Sequence, residues 1–422
     1  MDTLVDVYTD DPLSTRASDI AGILDAYTSL QRDIQRTSNP SGTFDDLSGL
    51  GEPKFHVDGT PFMGSWGRPQ RDGPALRSLT LMRYLHAYNA SHPSLWSSAK
   101  FGDFFGKFYT AEMPPRSVIK ADLEYVSHYW NESSFDLWEE VDGLHFFNLM
   151  VSATSLREGS KLAAAFGDAG AAAWYQEQAG YIETLLRRFW NTNKGHLVET
   201  LGSDRSGLDC GLLLGSLHAL PAAGGAHGTA LYPPWSDEML VSLLALTQDQ
   251  RNRFPLNRQS PQAPASPQTS PFHGTALGRY PEDIYDGYGT SRAGGNPWFL
   301  CTSSAASILY HTASHLSTSS NLTITPTSLP FYTALFASSS PSLLPVPTGS
   351  FGPTHPLFHA AIHHLTTAGD QFLAVVNAHV DADGAMSEQF DRATGFMRGA
   401  RDLTWSYGAF LHAGRARRAA LA

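Results

Sequence analysis

The sequence contains little cysteine, little charge and no long apolar run. Its 422 residues include two cysteines, Cys210 and Cys301, which allow at most one disulfide and exclude a disulfide framework. Charged residues make up 16% of the chain, and 29 Lys and Arg against 40 Asp and Glu leave a net charge of −11. This acidic balance argues against nucleic acid as a partner, because binding phosphates takes clustered basic side chains. No apolar run approaches the roughly 18 to 20 residues of a membrane span, so we expect no membrane partner.

Hydrophobic residues are plentiful and follow helical spacing. They make up 42% of the chain, enough for a large core and too many for a chain that is disordered throughout. Apolar residues recur every three or four positions, as at Ile20, Ile23 and Leu24 and again at Ile182 and Leu186. Alternating strand patterns are short and scarce, so the sequence predicts an all-α fold.

The breaks in this pattern predict turns and surface loops. Residues 167–170 (Gly-Asp-Ala-Gly) predict a turn between two helices. Stretches rich in Pro, Gln or Ser at residues 254–272 and 337–356 predict loops, because proline cannot continue a helix. No linker separates comparable halves, so we predict a single large helical domain.

A first candidate binding segment is the glycine- and proline-rich loop at residues 64–74. It carries Trp66, Arg68, Arg71 and Asp72. Such residues on a loop are typical of binding sites, because loops on a rigid scaffold collect the side chains that contact ligands. The alternative is a structural turn held by an Arg–Asp ion pair.

A second segment, residues 133–143, places four carboxylates among aromatic residues. Asp136, Glu139, Glu140 and Asp142 accompany a phenylalanine and a tryptophan. An aromatic wall beside a carboxyl group raises the pKa of that group by desolvation, which keeps an acid protonated for general acid catalysis. The alternative is the acidic N-terminus of a helix, where Asp and Glu are favoured.

Two further groups combine charge with tryptophan on segments that glycine and proline interrupt. One comprises residues 278–283 and 294–299, and the other comprises residues 386–391 and 400–406. The second includes Glu388, in a loop before the C-terminal helix. The alternative for such a glutamate is a solvated side chain without a function.

Together the four groups supply what hydrolysis of a glycoside requires. Tryptophan faces can stack on the C–H face of a sugar, Arg and carboxylates can hold its hydroxyls, and two well-separated carboxyl groups can act as acid and base. No nucleophile elbow, P-loop, dinucleotide-binding or zinc-protease motif occurs. The densest histidine cluster, His363-His364, lacks acids or cysteines at ligand spacing, so we expect neither a metal nor an organic cofactor.

Seven motifs, in one order along nearly the whole chain, make the sequence resemble the fungal-type glucoamylases of glycoside hydrolase family 15. They are GEPKF (51–55), GSWGRPQRDGPAL (64–76), DLWEEV (136–141), GRYPED (278–283), NPWFLC (296–301), MSEQ (386–389) and ARDLTWSY (400–407). The resemblance implies an (α/α)6 barrel of six outer and six inner helices, with the site in a pocket at one end. It also implies release of β-D-glucose, with inversion, from the non-reducing ends of starch-like glucans, at α-1,4 bonds and more slowly at α-1,6 bonds.

The same resemblance implies roles for individual residues. Glu139 would be the general acid that protonates the glycosidic oxygen, and Glu388 the general base that activates water on the opposite face of the sugar. In an inverting enzyme two such carboxyl groups lie about 6.5 to 9.5 Å apart. Asp136 matches a family carboxylate that some descriptions call the base. It is expected here to support catalysis, because it lies three residues from Glu139, where a role across the sugar ring is geometrically awkward. The residues expected to bind substrate are Trp66, Arg68, Leu137, Trp138, Glu140, Arg279, Tyr280, Asp283, Trp298 and Trp405.

The sequence also departs from the pattern of the family. Family members begin with a first barrel helix and a Tyr-x-Trp-x-Arg-Asp stretch that binds the terminal glucose, whereas Met1 matches a position just after that stretch. Phe62 replaces a usual Tyr, and Ser134 a usual Gly or Pro. We therefore expect a barrel that lacks its first helix, and two alternatives stay open. One is a truncated chain that binds glucans weakly without catalysis, and the other is a different inverting (α/α)6 enzyme such as a trehalase.

The resemblance finally implies the setting of the protein. We expect one catalytic domain over residues 1–422 without a starch-binding domain, acting as a monomer on starch, maltooligosaccharides and related α-glucans. An extracellular location follows from the family alone, since the first six residues have neither the basic start nor the apolar segment of an export signal. Asn-x-Ser/Thr triplets at Asn89, Asn131 and Asn321 are candidate glycosylation sites.

Overall fold

The computed structural model describes residues 1–96, 101–220, 230–259, 271–290, 294–337 and 340–422. Within these ranges helices predominate, with fourteen α-helices and three 3-10 helices (Ser48–Gly51, Arg187–Phe189 and Pro341–Leu343) against eight strands of two or three residues. The predicted all-α class is therefore confirmed. The chain divides into two compact units, one formed by Met1–Arg188 and His218–Leu231 and the other by Phe189–Leu217 and Tyr232–Ala422.

The first unit contains seven α-helices and one β-hairpin. They are α1 (Asp2–Asp10), α2 (Thr15–Gln35), α3 (Asp72–Ser91), α4 (Phe101–Phe105), α5 (Val118–Tyr129), β1 (Ser134–Phe135), β2 (Asp142–Gly143), α6 (Phe146–Ala165) and α7 (Ala169–Leu186). Helix α6 packs against α7 and α3, and strands β1 and β2 pair antiparallel. The hairpin projects from the segment between α5 and α6, which places residues 136–141 at its turn.

The predicted turn between two helices lies where the sequence indicates, between α6 and α7. Gly167 has a φ of 76°, a conformation that glycine adopts without strain, and Asp168 caps α7 by accepting a hydrogen bond from the Ala171 N–H at 3.3 Å. The helical spacing is confirmed at Ile182, which is buried on α7. Ile23 also lies on a helix, α2, but is 47% exposed, because the apolar face inferred from spacing is wider than the face that neighbours cover.

The second unit contains the remaining seven α-helices, two β-hairpins and a third strand pair whose strands are separated by a helix. They are β3 (Trp190–Asn191), β4 (His196–Leu197), α8 (Cys210–His218), α9 (Asp237–Arg253), α10 (Leu256–Gln259), α11 (Phe299–Ser319), β5 (Leu322–Ile324), α12 (Leu329–Ala337), β6 (Gly349–Phe351), α13 (Pro356–His379), β7 (Gln389–Phe390), β8 (Met397–Arg398) and α14 (Thr404–Leu421). Helix α11 packs against both α13 and α14. The hairpins β3–β4 and β7–β8 and the pair β5–β6, whose strands α12 separates, are antiparallel.

Two predicted surface loops hold more structure than their composition indicates. The stretch at 254–272 begins with the helical turn α10, and the stretch at 337–356 contains a 3-10 helix and strand β6. Prolines are compatible with both, since Pro255 precedes α10 and Pro341 begins the 3-10 helix, positions that need no backbone N–H. Residues 260–270 and 338–339 of these stretches lie outside the described ranges.

The two cysteines form a disulfide inside the second unit. Cys210, the first residue of α8, is bonded to Cys301 in the first turn of α11, and both side chains are fully buried. The Cys210 N–H also donates to the Arg279 carbonyl at 2.7 Å. The disulfide thus joins segments that are 91 residues apart, next to a residue of the predicted site.

Removing this disulfide is expected to lower stability strongly. Cross-linking a loop of this length lowers the entropy of the unfolded chain, an effect worth about 4 to 5 kcal/mol in the chain-entropy model. We expect the free energy of unfolding of the Cys210→Ala/Cys301→Ala variant, measured by urea denaturation, to be lower than that of the wild type by about this amount. Reductant should lower the urea midpoint of the wild type and leave the urea midpoint of the variant unchanged. Equal midpoints for the two proteins under oxidising conditions would contradict this prediction.

Candidate active site

In the first unit, Arg68 organises the loop that carries Trp66. The Arg68 Nε donates to both carboxylate oxygens of the buried Glu52, at 3.0 and 2.8 Å, and its other nitrogens donate to the Gly64 and Phe62 carbonyls at 2.9 and 2.7 Å. The two carbonyls both precede Trp66 in the chain, whereas Arg68 follows it. Arg68 therefore ties the backbone before Trp66 to the backbone after it.

Trp66 lies at the surface of this loop with a cation against its ring. The Lys54 amino group is 3.1 Å from the Trp66 ring centroid, and Phe62 meets the same indole edge-to-face at 5.8 Å between centroids. The Trp66 side chain is 37% exposed. Such a fixed, partly exposed indole can present an apolar surface to a ligand.

The Arg–Asp ion pair of the alternative, a structural turn, is absent from the described contacts of this loop, and a different ion pair is present. Arg71 donates to the Glu132 carboxylate at 2.7 Å and to the Tyr125 hydroxyl at 2.9 Å. The Arg71 backbone N–H donates to the Ser134 hydroxyl at 3.0 Å. These bonds tie the loop to the β1–β2 hairpin.

Asp136 closes the turn of the hairpin. Its Oδ1 accepts hydrogen bonds from the backbone N–H groups of Glu140 and Val141, at 2.7 and 3.1 Å, and its own N–H donates to the Val141 carbonyl at 2.9 Å. The alternative of an acidic helix N-terminus is wrong, because this turn belongs to a hairpin and α6 begins only at Phe146. A buried carboxylate used in this way positions the turn.

Glu139 occupies a strained position on that turn. Its φ of 64° is uncommon for a residue with a side chain, and its N–H donates to the Asp136 carbonyl at 2.9 Å. Gly67 makes this possible, since a Cβ there would lie 2.6 Å from Phe135 and 3.1 Å from the Glu139 carbonyl. Strain of this kind persists where the surroundings enforce it, which is common at functional sites.

The side chains on this turn divide between the interior and the solvent. Leu137 and Trp138 are buried, whereas Glu139 and Glu140 are exposed. The carboxyl group that burial affects here is Asp72, at the start of α3, where desolvation and the nearby Glu139 and Asp136 charges raise its pKa to about 6. The sequence placed Asp72 in the loop but did not predict this carboxyl as a partner of the hairpin.

In the second unit, three separate motifs run side by side. The Trp298 N–H donates to the Leu277 carbonyl at 2.8 Å, and the Phe390 N–H donates to the Pro297 carbonyl at 3.0 Å. The Asn296 amide donates to Gln389 Oε1 at 2.9 Å. The motifs around residues 278, 298 and 388 therefore form one group.

Arg279 is held rigidly in this group. Asp283 binds its guanidinium through two hydrogen bonds of 3.0 and 2.6 Å, and both side chains are buried. The guanidinium lies 5.1 Å from the Tyr280 ring and 5.4 Å from the Trp298 ring. The guanidinium of Arg205 also lies over the Tyr280 ring, 4.2 Å from its centroid. Asp283 and the buried Tyr280 therefore orient Arg279.

Glu388 is half-buried, so the alternative of a solvated loop glutamate is wrong. Burial raises its pKa, while the positive charge of Arg279 and the nearby Tyr285 hydroxyl partly offset that rise. The Gln389 amide donates to the carboxylate at 3.3 Å. The Cα of Gly399 packs so closely on Glu388 Oε2 that a Cβ would collide with it, and the φ of 76° at Gly399 also favours glycine.

Buried neighbours fix the backbone on both sides of Glu388. Met386 and Phe390 belong to an apolar cluster with Phe299 and Val376, and the Glu388 N–H donates to the Ala400 carbonyl at 2.8 Å. Trp405 is half-buried in the first turn of α14. The sequence analysis missed Tyr285 and Gly399, although a tyrosine two residues after Asp283 and a glycine before Ala400 were the available signals.

A metal centre has no basis in the described part of the chain. No group of three or more His, Cys, Asp or Glu side chains there has the arrangement of a metal site. No helix of the described ranges is long and apolar enough to span a membrane.

Almost the whole chain matches known proteins of one family. The glycosyl hydrolases family 15 matches residues 5–415. A glucoamylase of Saccharomycopsis fibuligera is 36% identical over 417 residues, which cover 94% of this chain and 76% of that protein. A glucoamylase of Schizophyllum commune is 34% identical over 405 residues, which cover 96% of this chain and 63% of that protein.

Solved structures show the same relationship. The glucoamylase of Saccharomycopsis fibuligera matches with a TM-score of 0.86 and 33% identity, covering 100% of this chain and 84% of its own. A family 15 glucoamylase of Hypocrea jecorina matches with a TM-score of 0.83 and 33% identity, covering 99% of this chain and 63% of its own. The fold of these glucoamylases is an (α/α)6 barrel, so the barrel architecture of the predicted fold class is confirmed. The chain belongs to the glycosyl hydrolases family 15.

Proposed function

We propose that this protein is an inverting exo-glycosidase that releases β-D-glucose from the non-reducing ends of α-1,4-linked glucans, and more slowly at α-1,6 bonds. Starch and maltooligosaccharides are its proposed substrates. The observation that carries the proposal is the environment of Glu388, a half-buried carboxylate packed on Gly399 beside Arg279 and Tyr285. Membership of family 15 and the glucoamylase names of its relatives support it.

In this proposal Glu139 is the general acid and Glu388 the general base. Glu139 donates its proton to the glycosidic oxygen as the bond from that oxygen to the anomeric carbon breaks. Glu388 takes a proton from the water that attacks the anomeric carbon from the opposite face, which inverts the configuration. A substrate bound over the exposed Glu139 would itself exclude water from that carboxyl group.

The other predicted residues divide between contact and positioning. We propose that Arg279 and Glu140 bind sugar hydroxyls and that Trp66, Trp298 and Trp405 line the site. Other side chains act through these groups, because they are buried behind them or hydrogen-bond to the segments that carry them. They are Arg68 behind Trp66, Asp136 with Leu137 and Trp138 behind Glu139, and Asp283 with Tyr280 behind Arg279.

The proposed setting is extracellular. A buried disulfide is common in exported proteins and rare in the cytosol, and Cys210 and Cys301 form one here. Two of the three glycosylation triplets have an exposed asparagine, Asn131 and Asn321, whereas Asn89 is partly buried. We propose a secreted, glycosylated monomer that contacts neither nucleic acid nor membrane.

The substrate class is tested by offering maltotriose and trehalose to the purified protein. We expect glucose from maltotriose and none from trehalose. Trehalose joins its two glucose units by an α-1,1 bond and contains no α-1,4 bond to a leaving sugar. Release of glucose from trehalose alone would make the chain a trehalase. No glucose from either substrate, with a folded and monodisperse sample, would favour a glucan-binding chain without catalysis.

Replacing Tyr285 by Phe is expected to shift the pH profile of the reaction. The Tyr285 hydroxyl donates to the Gly287 carbonyl at 3.1 Å, and its proximity to the Glu388 carboxylate lowers the pKa of Glu388. Without this hydroxyl the pKa of Glu388 rises further. A general base works only when ionised, so its activity is lost as pH falls through its pKa. We therefore expect the acid limb of kcat/KM for maltotriose to move to higher pH.

The control for this experiment is Tyr181→Phe, which removes the hydroxyl of an exposed tyrosine on α7 that bonds only to the neighbouring Glu177 in its described contacts. Its acid limb should coincide with that of the wild type. An acid limb that stays in place, or moves to lower pH, in Tyr285→Phe would refute the assignment of Glu388 as the base.

A further inference from the structure

Loop residues 283–290 of the second unit present an apolar strip that none of the roles above uses. Ile284 and Tyr288 are 60% and 59% exposed. The same loop directs Asp283 to Arg279 and Tyr285 to Glu388. Its inward side chains thus build the surroundings of Glu388, while its outward side chains face solvent.

The strip is held in place by polar contacts. The Asp286 carboxylate accepts hydrogen bonds from the Tyr288 and Thr290 N–H groups, at 3.0 and 3.2 Å. Arg398 donates to the Asp286 carbonyl at 3.2 Å, and its guanidinium lies 5.1 Å from the Tyr288 ring centroid. Tyr288 is therefore an exposed ring whose orientation is set before any ligand binds.

The strip is continuous with the surroundings of Glu388. Gly287 has a φ of 89°, and a Cβ there would lie 2.9 Å from the Gly399 nitrogen. Gly399 in turn packs directly on the Glu388 carboxylate. Tyr288 follows Gly287 by one residue, about 3.8 Å from Cα to Cα. Two packed glycines therefore separate the Tyr288 backbone from the catalytic base of the proposed mechanism.

We propose that Ile284 and Tyr288 form a platform for the glucose units of the substrate that lie beyond the leaving sugar, toward its reducing end. The inference rests on the proposed function, because an exo-acting enzyme holds the terminal sugar beside Glu388 and lets the rest of the chain run outward. An aromatic ring offers the C–H face of a sugar an apolar surface, and its hydroxyl offers a hydrogen bond. Because the ring is already oriented, little conformational entropy is lost on binding.

The kinetic test compares substrates of different length. We expect Tyr288→Ala to leave kcat/KM for maltose within twofold of the wild type, because maltose ends at the leaving sugar. For maltotetraose and maltoheptaose kcat/KM should fall roughly 3- to 10-fold, the loss of one aromatic contact. Tyr288→Trp should restore most of it. An equal fall for all substrates, or no fall for the long ones, would overturn the proposal.

The matched control is Phe396→Ala. Phe396 is 78% exposed at the turn between β7 and β8 and belongs to none of the contacts described for Glu388. Removing the Phe396 ring should leave the dependence of kcat/KM on substrate length unchanged. A similar loss for long substrates in Phe396→Ala would mean that exposed aromatic residues of this unit contribute without a defined platform.

A binding measurement separates failure of the platform from failure of the proposed function. Calorimetric titration of maltoheptaose into Glu139→Gln, with and without Tyr288→Ala, requires no turnover. We expect Tyr288→Ala to weaken binding by roughly 3- to 10-fold. Binding that depends on Tyr288 in a wild type that releases no glucose would refute the proposed function and leave the platform standing. Unchanged affinity, or no binding to the parent, would refute the platform.

Discussion

Glu139→Gln is expected to lower kcat for maltotriose by about 10²- to 10⁴-fold, the usual contribution of a general acid. The amide has nearly the same shape as the carboxyl group but cannot donate a proton to the glycosidic oxygen. The departing sugar would then leave as an alkoxide, which raises the barrier. The backbone of the turn should be unaffected, because Asp136 and not Glu139 accepts its hydrogen bonds.

The choice of leaving group turns this result into a test of role. Fluoride leaves α-D-glucosyl fluoride without protonation, so Glu139→Gln should keep most of its activity on that substrate. Glu140→Gln, next along the same turn and also exposed, is the matched control and should act mainly by raising KM for maltotriose. Full activity of Glu139→Gln on maltotriose, or equal losses on both substrates, would exclude Glu139 as the acid.

Glu388→Gln is expected to lower kcat by a similar 10²- to 10⁴-fold factor, but on maltotriose and glucosyl fluoride alike. Both reactions need a base to activate the attacking water, whatever the leaving group. The amide can still occupy the space beside Gly399 and contact Tyr285, so the loss should be one of proton acceptance.

The control for this second variant is Glu282→Gln, which changes an exposed glutamate of the same unit that bonds to Ser206. Its rates should stay within twofold of the wild type on both substrates. If Glu388→Gln kept its activity on glucosyl fluoride while losing it on maltotriose, Glu388 would be serving as the acid, and the two roles would have to be exchanged.

Local signals were enough to predict the helical class and the turn between α6 and α7. Gly167 and Asp168 both favour the end of one helix and the start of the next, and no distant contact is needed to interpret them. The carboxylates from Asp136 to Asp142 were ambiguous, because their interpretation depends on a contact between separate segments. Carboxylates cap helices and close tight turns equally well, and only the pairing of Phe135 with Asp142 across the hairpin decides between these uses.

The candidate site was predictable by residue type but not by contact. Sequence motifs identified Arg279, Trp298 and Glu388, whereas their arrangement depends on pairing between segments about 90 residues apart, such as the bond between Asn296 and Gln389. Asp283 and Asp136 were predicted to bind substrate or support catalysis directly, and no short-range pattern shows that their carboxylates are occupied by Arg279 and by backbone N–H groups. The same limit applies to Tyr285 and to the disulfide.

The central claim is inversion at the anomeric carbon of a non-reducing terminal glucose. Proton NMR of the purified protein with maltotriose follows the anomers of released glucose before they equilibrate. We predict that the β-anomer signal appears first and that the α-anomer grows in later by mutarotation. An α-anomer that appears first would show retention and contradict the acid–base roles of Glu139 and Glu388, and no glucose from a folded sample would contradict the activity itself.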